Sequence, residues 1–417
     1  MSLITSLHPT TQACLRNSVL APHIEAFVTH LERGRYTTNT SQSYVAGVAH
    51  FARWMTQCCL PLQMLDERGV DRFLNDHLAH CDCPSPVYRD IRNLRAALHH
   101  LLAVLRTQGV IDKQSLPTGP IADELRLYDE HMLKARGLSS GTRRGRLRII
   151  ERLLLYKFAN HSLAMAELSP DDVRHFIFSQ LQLRNTTSNA ATLASALRAY
   201  LRYRATCGDQ VNDLLGVIAT PAHWGLAPLP RALKPAEVER LLASFASSLP
   251  SPKRGYAIVR CALDMGLRSS EVANLQLADI DWRAGTVTLN HTKSRRQDIL
   301  PLPELTGQAL AEYVHNERPK TTNSAVFVRL LAPRDAPIGV DAVRRIIRNA
   351  YQRIGLKHGR THALRHTLAC QLLERGSSLK EVADVLRHRS LNTTLIYAKL
   401  DTSRLGVVAL PWPGSAT

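Results

Sequence analysis

Apolar residues recur along most of the chain at the three- and four-residue intervals of helices packed on one side. Val45, Val48, Phe51, Ala52 and Met55 form one such stripe, and Leu147, Ile150, Leu153, Leu154 and Phe158 form another. Ahead of them stand "YTTNT" and "LSSGT", whose hydroxyls are suited to accept from the free N–H groups of a first helical turn. The surrounding segments also resemble each other. "HLERGRYTTNTSQSYVAGVAHFARWM" from His30 parallels "HMLKARGLSSGTRRGRLRIIERLLLYKF" from His131, and "LDERGVDRFLNDHL" from Leu65 parallels "LSPDDVRHFIFSQL" from Leu168. "LRAALHHLLAVLRTQG" from Leu94 then parallels "LASALRAYLRYRATCG" from Leu193. A repeat at roughly 100 residues predicts a duplicated helical unit. Two small helical domains follow, residues 1–112 and 113–212.

The pattern breaks over 213–232, where Pro221, Pro228 and Pro230 crowd together as in a linker. Pro235 then opens a helix at a favoured first-turn position, and "YAIVRCALDM" gives another that ends at Gly266. Next the period changes from helical to alternating. "GTVTLN" (285–290) and "DILPL" (298–302) read as two short strands joined by "HTKSRRQ", and helices resume at Leu305 and Val340. The expectation is a mainly α protein whose third domain, 233–417, is mostly helical with one small antiparallel sheet.

Composition adds a partner. At 417 residues, 45% apolar and 21% charged, the chain has the makeup of a soluble multidomain protein and not of a disordered one. Its 53 Lys and Arg outnumber 35 Asp and Glu, a formal charge of +18, which points to a polyanion such as double-stranded DNA. The excess is clustered. Lys134, Arg136, Arg143, Arg144, Arg146 and Arg148 lie in one acid-free run, Arg344, Arg345 and Arg348 in a second, and Arg295 and Arg296 in the turn between the strands. These are the candidate DNA contacts; the alternative is a merely solvated basic face.

The eight cysteines are scattered without a disulfide framework and read as free thiols of a reducing compartment. "HLAHCDC" (77–83) is reminiscent of a metal cluster, but it lacks a second ligand pair at zinc-type spacing, so no metal is expected there. The first residues show no basic segment followed by an apolar core, and no apolar run approaches spanning length. A cytoplasmic, nucleoid-associated protein without membrane contact is the expectation.

The chemistry gathers near the carboxyl end, in "THALRHTLACQLLERGSSLKEVADVLRHRSLNTTLIYAKLD". A helix capped at Thr361 projects His362, Arg365 and His366 from one face at i, i+3 and i+4. Gly376 ends it, Ser378 and Glu381 form a capping box for the next helix, and that helix delivers His388. A last short helix carries Tyr397. Arg268, just past Gly266, and Lys293, in the strand turn, are cations that core packing does not explain. Two arginines, a lysine, two histidines and a tyrosine suit a phosphodiester: guanidinium forks grip its non-bridging oxygens and neutralise charge developing on phosphorus. A phenol is a weak nucleophile at its free pKa of about 10, and neighbouring cations favour its phenolate.

In these residues the chain resembles the tyrosine recombinase, or phage integrase, family. Its signature runs Arg, Lys, His-x-x-Arg, His or Trp, Tyr; "GLRSSEV", "TKSRR", "HALRH", "LRHRS" and "TTLIY" supply Arg268, Lys293, His362 with Arg365, His388 and Tyr397 in order. The match covers the third domain, and the repeated helical units resemble the SAM-like core-binding domain found upstream in such enzymes. "LRH" stands where L-G-H is frequent, and "HAL" where H-D-L is frequent. The length and the tail "VALPWPG" are similar to recombinases of mobile elements encoded in trios.

The resemblance implies site-specific strand exchange through a 3′-phosphotyrosyl intermediate, with neither metal, ATP nor other cofactor. Tyr397 would attack, Lys293 would protonate the leaving oxygen, and Arg268 and Arg365 would clamp the phosphate. His362 would handle the tyrosine proton, His388 would bond a phosphate oxygen, and Glu271 and His366 would support them. Four protomers on two duplexes, alike or with related recombinases, would carry out the exchange.

Three other interpretations compete with it. His362 and His366 as a zinc pair would have Arg365 between them and lack a third ligand. "SLKEVADVLRHRSLNTTLIYA" has the outline of a helix-turn-helix, as in a DNA-binding regulator without chemistry, but such a module has no use for Lys293 or a nucleophile. A type IB topoisomerase shares the tyrosine chemistry and relaxes supercoils as a monomer.

Overall fold

The computed structural model describes residues 3–112, 118–159, 162–183, 187–219, 232–290, 297–356, 361–388, 394 and 396–397. The chain divides into two compact units, one of residues 1–111 together with 226–417, the other of 112–225.

In the first unit the amino-terminal helices are α1 (Pro9–Arg16), α2 (Ile24–Arg33), α3 (Thr38–Gln57), α4 (Glu67–Arg72) and α5 (Ile91–Thr107). The predicted stripe of α3 is wholly buried, with Val45, Val48, Phe51, Ala52 and Met55 packing on Leu94, Leu98, Leu101 and Leu105 of α5. Thr37 caps α3 as expected, its hydroxyl accepting from Thr40 N at 3.3 Å. The α2–α3 turn also reaches the later half of this unit, where Arg35 donates from Nη1 to Lys320 O at 2.8 Å and faces Asp335 at 3.5 Å.

The second unit holds α6 (Pro120–Lys134), α7 (Ser140–Phe158), α8 (Pro170–Leu183), α9 (Thr187–Thr206) and α10 (Asn212–Gly216). Ile150, Leu153, Leu154 and Phe158 of α7 close a core with Tyr128, Phe176, Leu197 and Tyr200. Ser139 caps α7 by accepting from Thr142 N at 3.4 Å. The paired sequence segments fall on like elements, α3 with α7, α4 with α8 and α5 with α9.

The first unit resumes with α11 (Pro235–Ala243), α12 (Pro252–Asp264) and α13 (Ser269–Asn274), then β1 (Ile280–Asp281), β2 (Thr286–Leu289) and β3 (Asp298–Pro301). Among the described residues four helices follow: α14 (Glu304–Asn316), α15 (Val340–Arg353), α16 (Thr361–Glu374) and α17 (Leu379–Val385). The strands form an antiparallel β1-β2-β3 sheet in which Val287 faces both Ile280 and Leu300. Burial alternates along β2, so Val287 and Leu289 enter the core while Thr286 and Thr288 stay part-exposed. The two-residue β1 is too short to leave a period in the sequence. α12 is the central helix, its Ile258, Val259 and Cys261 fully buried.

Two sequence expectations change in space. The basic run at 134–148 is not free of acid once folded, because Arg143 bonds Asp129 Oδ2 at 2.7 Å and Lys134 pairs with Glu130. The rejected metal segment does acquire a further ligand, since α3 carries His50 to His77, Cys81 and Cys83; a sequence window centred on 77–83 cannot contain a partner so far upstream.

One glycine positions everything that follows. Gly266 turns the chain after α12 with φ +59°, and a Cβ there would meet Leu386 Cδ2 at 2.9 Å and Leu368 Cδ2 at 3.1 Å. Gly145, on an open face of α7, has nothing within 4 Å of such an atom. Gly266→Ala is therefore expected to lower the denaturation free energy by about 1–3 kcal/mol, while Gly145→Ala raises it by roughly 0.5–1 kcal/mol. Equilibrium denaturation of the two variants checks both signs.

Candidate active site

The site is assembled from three chain reversals. At the first, Arg268 stands as N-cap of α13, and Glu271 in the first turn reaches back to it: Oε2 accepts from Arg268 N at 2.8 Å and Oε1 from Arg268 Nη1 at 2.7 Å. At the second, α16 presents Arg365, which is 5% exposed. Its Nη1 donates to Gly266 O at 2.5 Å and its Nη2 to Leu386 O. The third is the end of α17, started by the predicted capping box, in which Glu381 N donates to Ser378 Oγ at 3.2 Å and Ser378 N to Glu381 Oε2 at 2.6 Å.

α17 ends on an unexpected side chain. Arg387 adopts φ +52°, the left-handed conformation for which glycine is favoured, and sends its guanidinium back beneath the site. Its Nη2 donates to Glu271 Oε2 at 2.8 Å, and Arg268 Nη2 donates to Arg387 O at 3.3 Å. Three guanidiniums, those of Arg268, Arg365 and Arg387, thus crowd around one directly bonded carboxylate. Burial pushes Glu271 upward, but Arg387 and Arg268 outweigh it and hold the carboxyl below its usual range. Burial, then the charges of Arg268 and Arg387, push Arg365 down to about 9. A buried cation destabilised by its neighbours is stabilised by an arriving anion.

The reversal at Arg387 leads into His388, whose N donates to Ala383 O at 2.9 Å and whose Nδ1 lies 2.7 Å from Thr394 Oγ1. Burial, with Arg365 and Arg268 adding to it, pushes this imidazole down to about 4, so it is neutral at pH 7. Tyr397 lies in the apolar layer of Leu368, Ala369, Cys370, Val382 and Leu386 and is 2% exposed. Its hydroxyl meets His366 Nδ1 at 2.6 Å. Burial pushes the phenol up to about 12, although Arg365 pulls the other way. It is therefore protonated at neutral pH, with an imidazole already at its oxygen.

The structure brings Arg268, Glu271, Arg365, His366, His388 and Tyr397 together. His362 lies one turn before His366 on α16 and is exposed; the imidazole bonded to the phenol is that of His366. Lys293, Arg295 and Arg296 lie outside the described residues, in the connection between β2 and β3. The base of that connection is near, for Asp298 at the start of β3 acts on Arg387. Arg344, Arg345 and Arg348 all face solvent on α15, Arg344 beside Asp341 at 3.1 Å, and Arg136, Arg144 and Arg148 are exposed in the other unit. Arg146 is part-exposed there. The residue that sequence reasoning undervalued is Arg387; its signal was the departure from glycine ahead of His388.

Comparisons with known proteins assign the chain to a family. Residues 231–404 match the model of the phage integrase family. Over 391 residues, 93% of this chain and 92% of the relative, the sequence is 34% identical to a Sinorhizobium fredii protein named as an integrase/recombinase, y4rA. It is 29% identical to the tyrosine recombinase XerC of Halalkalibacterium halodurans over 248 residues, 58% of this chain and 81% of that one. Among solved structures, the XerH site-specific recombinase bound to palindromic difH superposes with a TM-score of 0.55 at 19% identity, covering 84% of this chain and 99% of that chain. A lambda integrase dimer on a COC′ core site gives 0.52 at 15% identity, over 70% and 99%; both likenesses concern the fold. The chain belongs to the phage integrase family of tyrosine recombinases, enzymes that break and rejoin DNA strands.

The shift of His388 sets a pH dependence. The folded imidazole takes a proton only near 4 and the unfolded one near 6.5, so between these values the unfolded chain binds more protons. Stability is then fully present above about pH 6.5 and falls as pH drops toward 4. Denaturation midpoints across that window should fall with pH, and His388→Asn should flatten the slope; an identical slope in the variant contradicts the assignment.

Proposed function

We propose that this enzyme performs site-specific recombination on double-stranded DNA, with the six residues Arg268, Lys293, His362, Arg365, His388 and Tyr397 acting on one scissile phosphate. The observation that carries the reading is the excess of guanidinium charge around Glu271, within reach of a phenol already bonded to an imidazole. Arg268 and Arg365 grip the non-bridging oxygens, and neutral His388 donates to one of them. The Tyr397 oxygen attacks phosphorus as its proton passes to His366 Nδ1 or to His362, one turn earlier on the same helix. The bond from phosphorus to the 5′ oxygen breaks, Lys293 protonates that oxygen, and a 3′-phosphotyrosyl ester with a free 5′-hydroxyl results. Attack on the ester by the 5′-hydroxyl of a second duplex reverses each transfer and restores the phenol. No bond energy is lost to water, so no nucleotide is consumed.

The helical segments 1–112 and 113–212 and the domain 233–417 act in this reading as a clamp on the duplex, with phosphate contacts from the basic residues of 134–148 and from Arg295, Arg296, Arg344, Arg345 and Arg348. The assembly is a tetramer on two sites, of this chain alone or with related recombinases, working in the cytoplasm at the nucleoid. Among the described residues no helix is long and apolar enough to cross a membrane.

A nicked suicide duplex carrying the ends of the protein's own element tests this. Incubation should give a covalent protein–DNA adduct on denaturing gels that is absent in Tyr397→Phe, while that variant still binds the duplex. Tight specific binding by the wild type with no adduct would point instead to a regulator.

A further inference from the structure

Far along the chain from the recombinase residues, the amino-terminal helices enclose a second constellation. His50 on α3, His77 at the end of the turn that continues α4, and Cys81 and Cys83 just beyond offer four ligand atoms within 4.8 Å of one another. Three of the six separations match the edges of a tetrahedron, and all lie within 4.8 Å. Bonds of about 2.05 Å to nitrogen and 2.3 Å to sulfur require edges of about 3.4 Å between nitrogens and about 3.6 Å between nitrogen and sulfur. His77 Nε2 lies 3.4 Å from His50 Nε2, Cys81 Sγ 3.3 Å from His50 Nε2, and Cys83 Sγ 3.7 Å from His77 Nε2.

The surroundings hold these atoms in place. His50 is 3% exposed, and its Nδ1 is 2.8 Å from Tyr88 O. A carbonyl only accepts, so the proton is on Nδ1 and the bare lone pair of Nε2 faces the cluster, the orientation a metal-bound histidine takes from a backbone partner. Phe73 stands edge-on to His50 at 5.1 Å and lies stacked on His77 at 5.3 Å, which fixes both rings from behind. Arg89 Nη2 donates to Cys81 O at 3.2 Å and Arg53 Nη1 to Pro84 O at 3.0 Å, which steadies the turn that carries the sulfurs. Residues 81–90 form neither helix nor strand, yet they lead directly into α5, half of the core of this region.

We propose that His50, His77, Cys81 and Cys83 form a structural zinc site that fastens the irregular segment 81–90 to α3. Two thiolates and two imidazoles fill all four positions of a tetrahedral ion, which leaves none for substrate. The site is therefore structural, and the strand-transfer chemistry does not pass through it.

Elemental analysis of the full-length protein, purified under reducing conditions from zinc-supplemented cells, should find about one zinc per chain. The double variant Cys81→Ser/Cys83→Ser should lose it. A second measurement avoids relying on a variant that fails to fold: chelator-stripped wild-type protein titrated with Co(II) should develop thiolate-to-cobalt charge transfer and the intense visible bands of a tetrahedral ion. Its melting temperature should fall on stripping and recover with zinc. Folded, reduced protein that takes up neither metal would overturn the proposal, as would a full zinc complement retained in the variant. A Cys81–Cys83 disulfide in metal-free native protein, found by peptide mass mapping, would overturn it as well.

Discussion

Like charges packed into one half-buried place repel unless something between them is negative, and the recombinase site is organised around that constraint. Glu271 bonds both Arg268 and Arg387, and it is the carboxylate that lets their two guanidiniums coexist with that of Arg365. One carboxylate against three cations leaves positive charge unbalanced. That is the condition of a site prepared for a phosphate, since the anion arrives into donors already oriented and no reorganisation is required when charge builds on phosphorus. The same field acts on its neighbours, adding to the burial that keeps His388 neutral and pulling against the burial that holds the phenol of Tyr397 protonated.

The backbone serves this arrangement. Gly266 places its carbonyl under Arg365 in a turn that a larger residue would block with Leu386 and Leu368. Arg387 accepts a left-handed conformation that favours glycine, and in return its side chain reaches Glu271. Strain at that position is offset by a buried ion pair, which ties the end of α17, and with it His388, to the start of α13. Among the described residues, Tyr397 is held by a bond to His366 and by the apolar layer of α16 and α17. The phenol is shielded from solvent by this layer.

Much of this was legible in the sequence because it depends on local rules. The stripes of α3 and α7, the caps at Thr37 and Ser139 and the Ser378–Glu381 box all involve partners a few residues apart, and each was found where the pattern put it. What escaped depends on long-range placement. Arg143 meets Asp129 only when α6 and α7 pack, Arg387 meets Glu271 across 116 residues of chain, and His50 meets Cys81 across 31. The contact of His366 with the phenol escaped for a subtler reason. His362 and His366 share a helix face, and only the position of Tyr397 distinguishes which of them meets the phenol.

The guanidinium cluster is short of one oxyanion, and a tetrahedral or trigonal-bipyramidal oxyanion measures that shortage directly. Thermal melts of the wild type and of Arg268→Ala would be followed across a series of orthovanadate concentrations at constant ionic strength, with chloride as the control salt. Vanadate should raise the wild-type melting temperature well beyond chloride, and Arg268→Ala should abolish the difference. Equal responses to the two salts in the wild type, or an undiminished vanadate response in the variant, would contradict it.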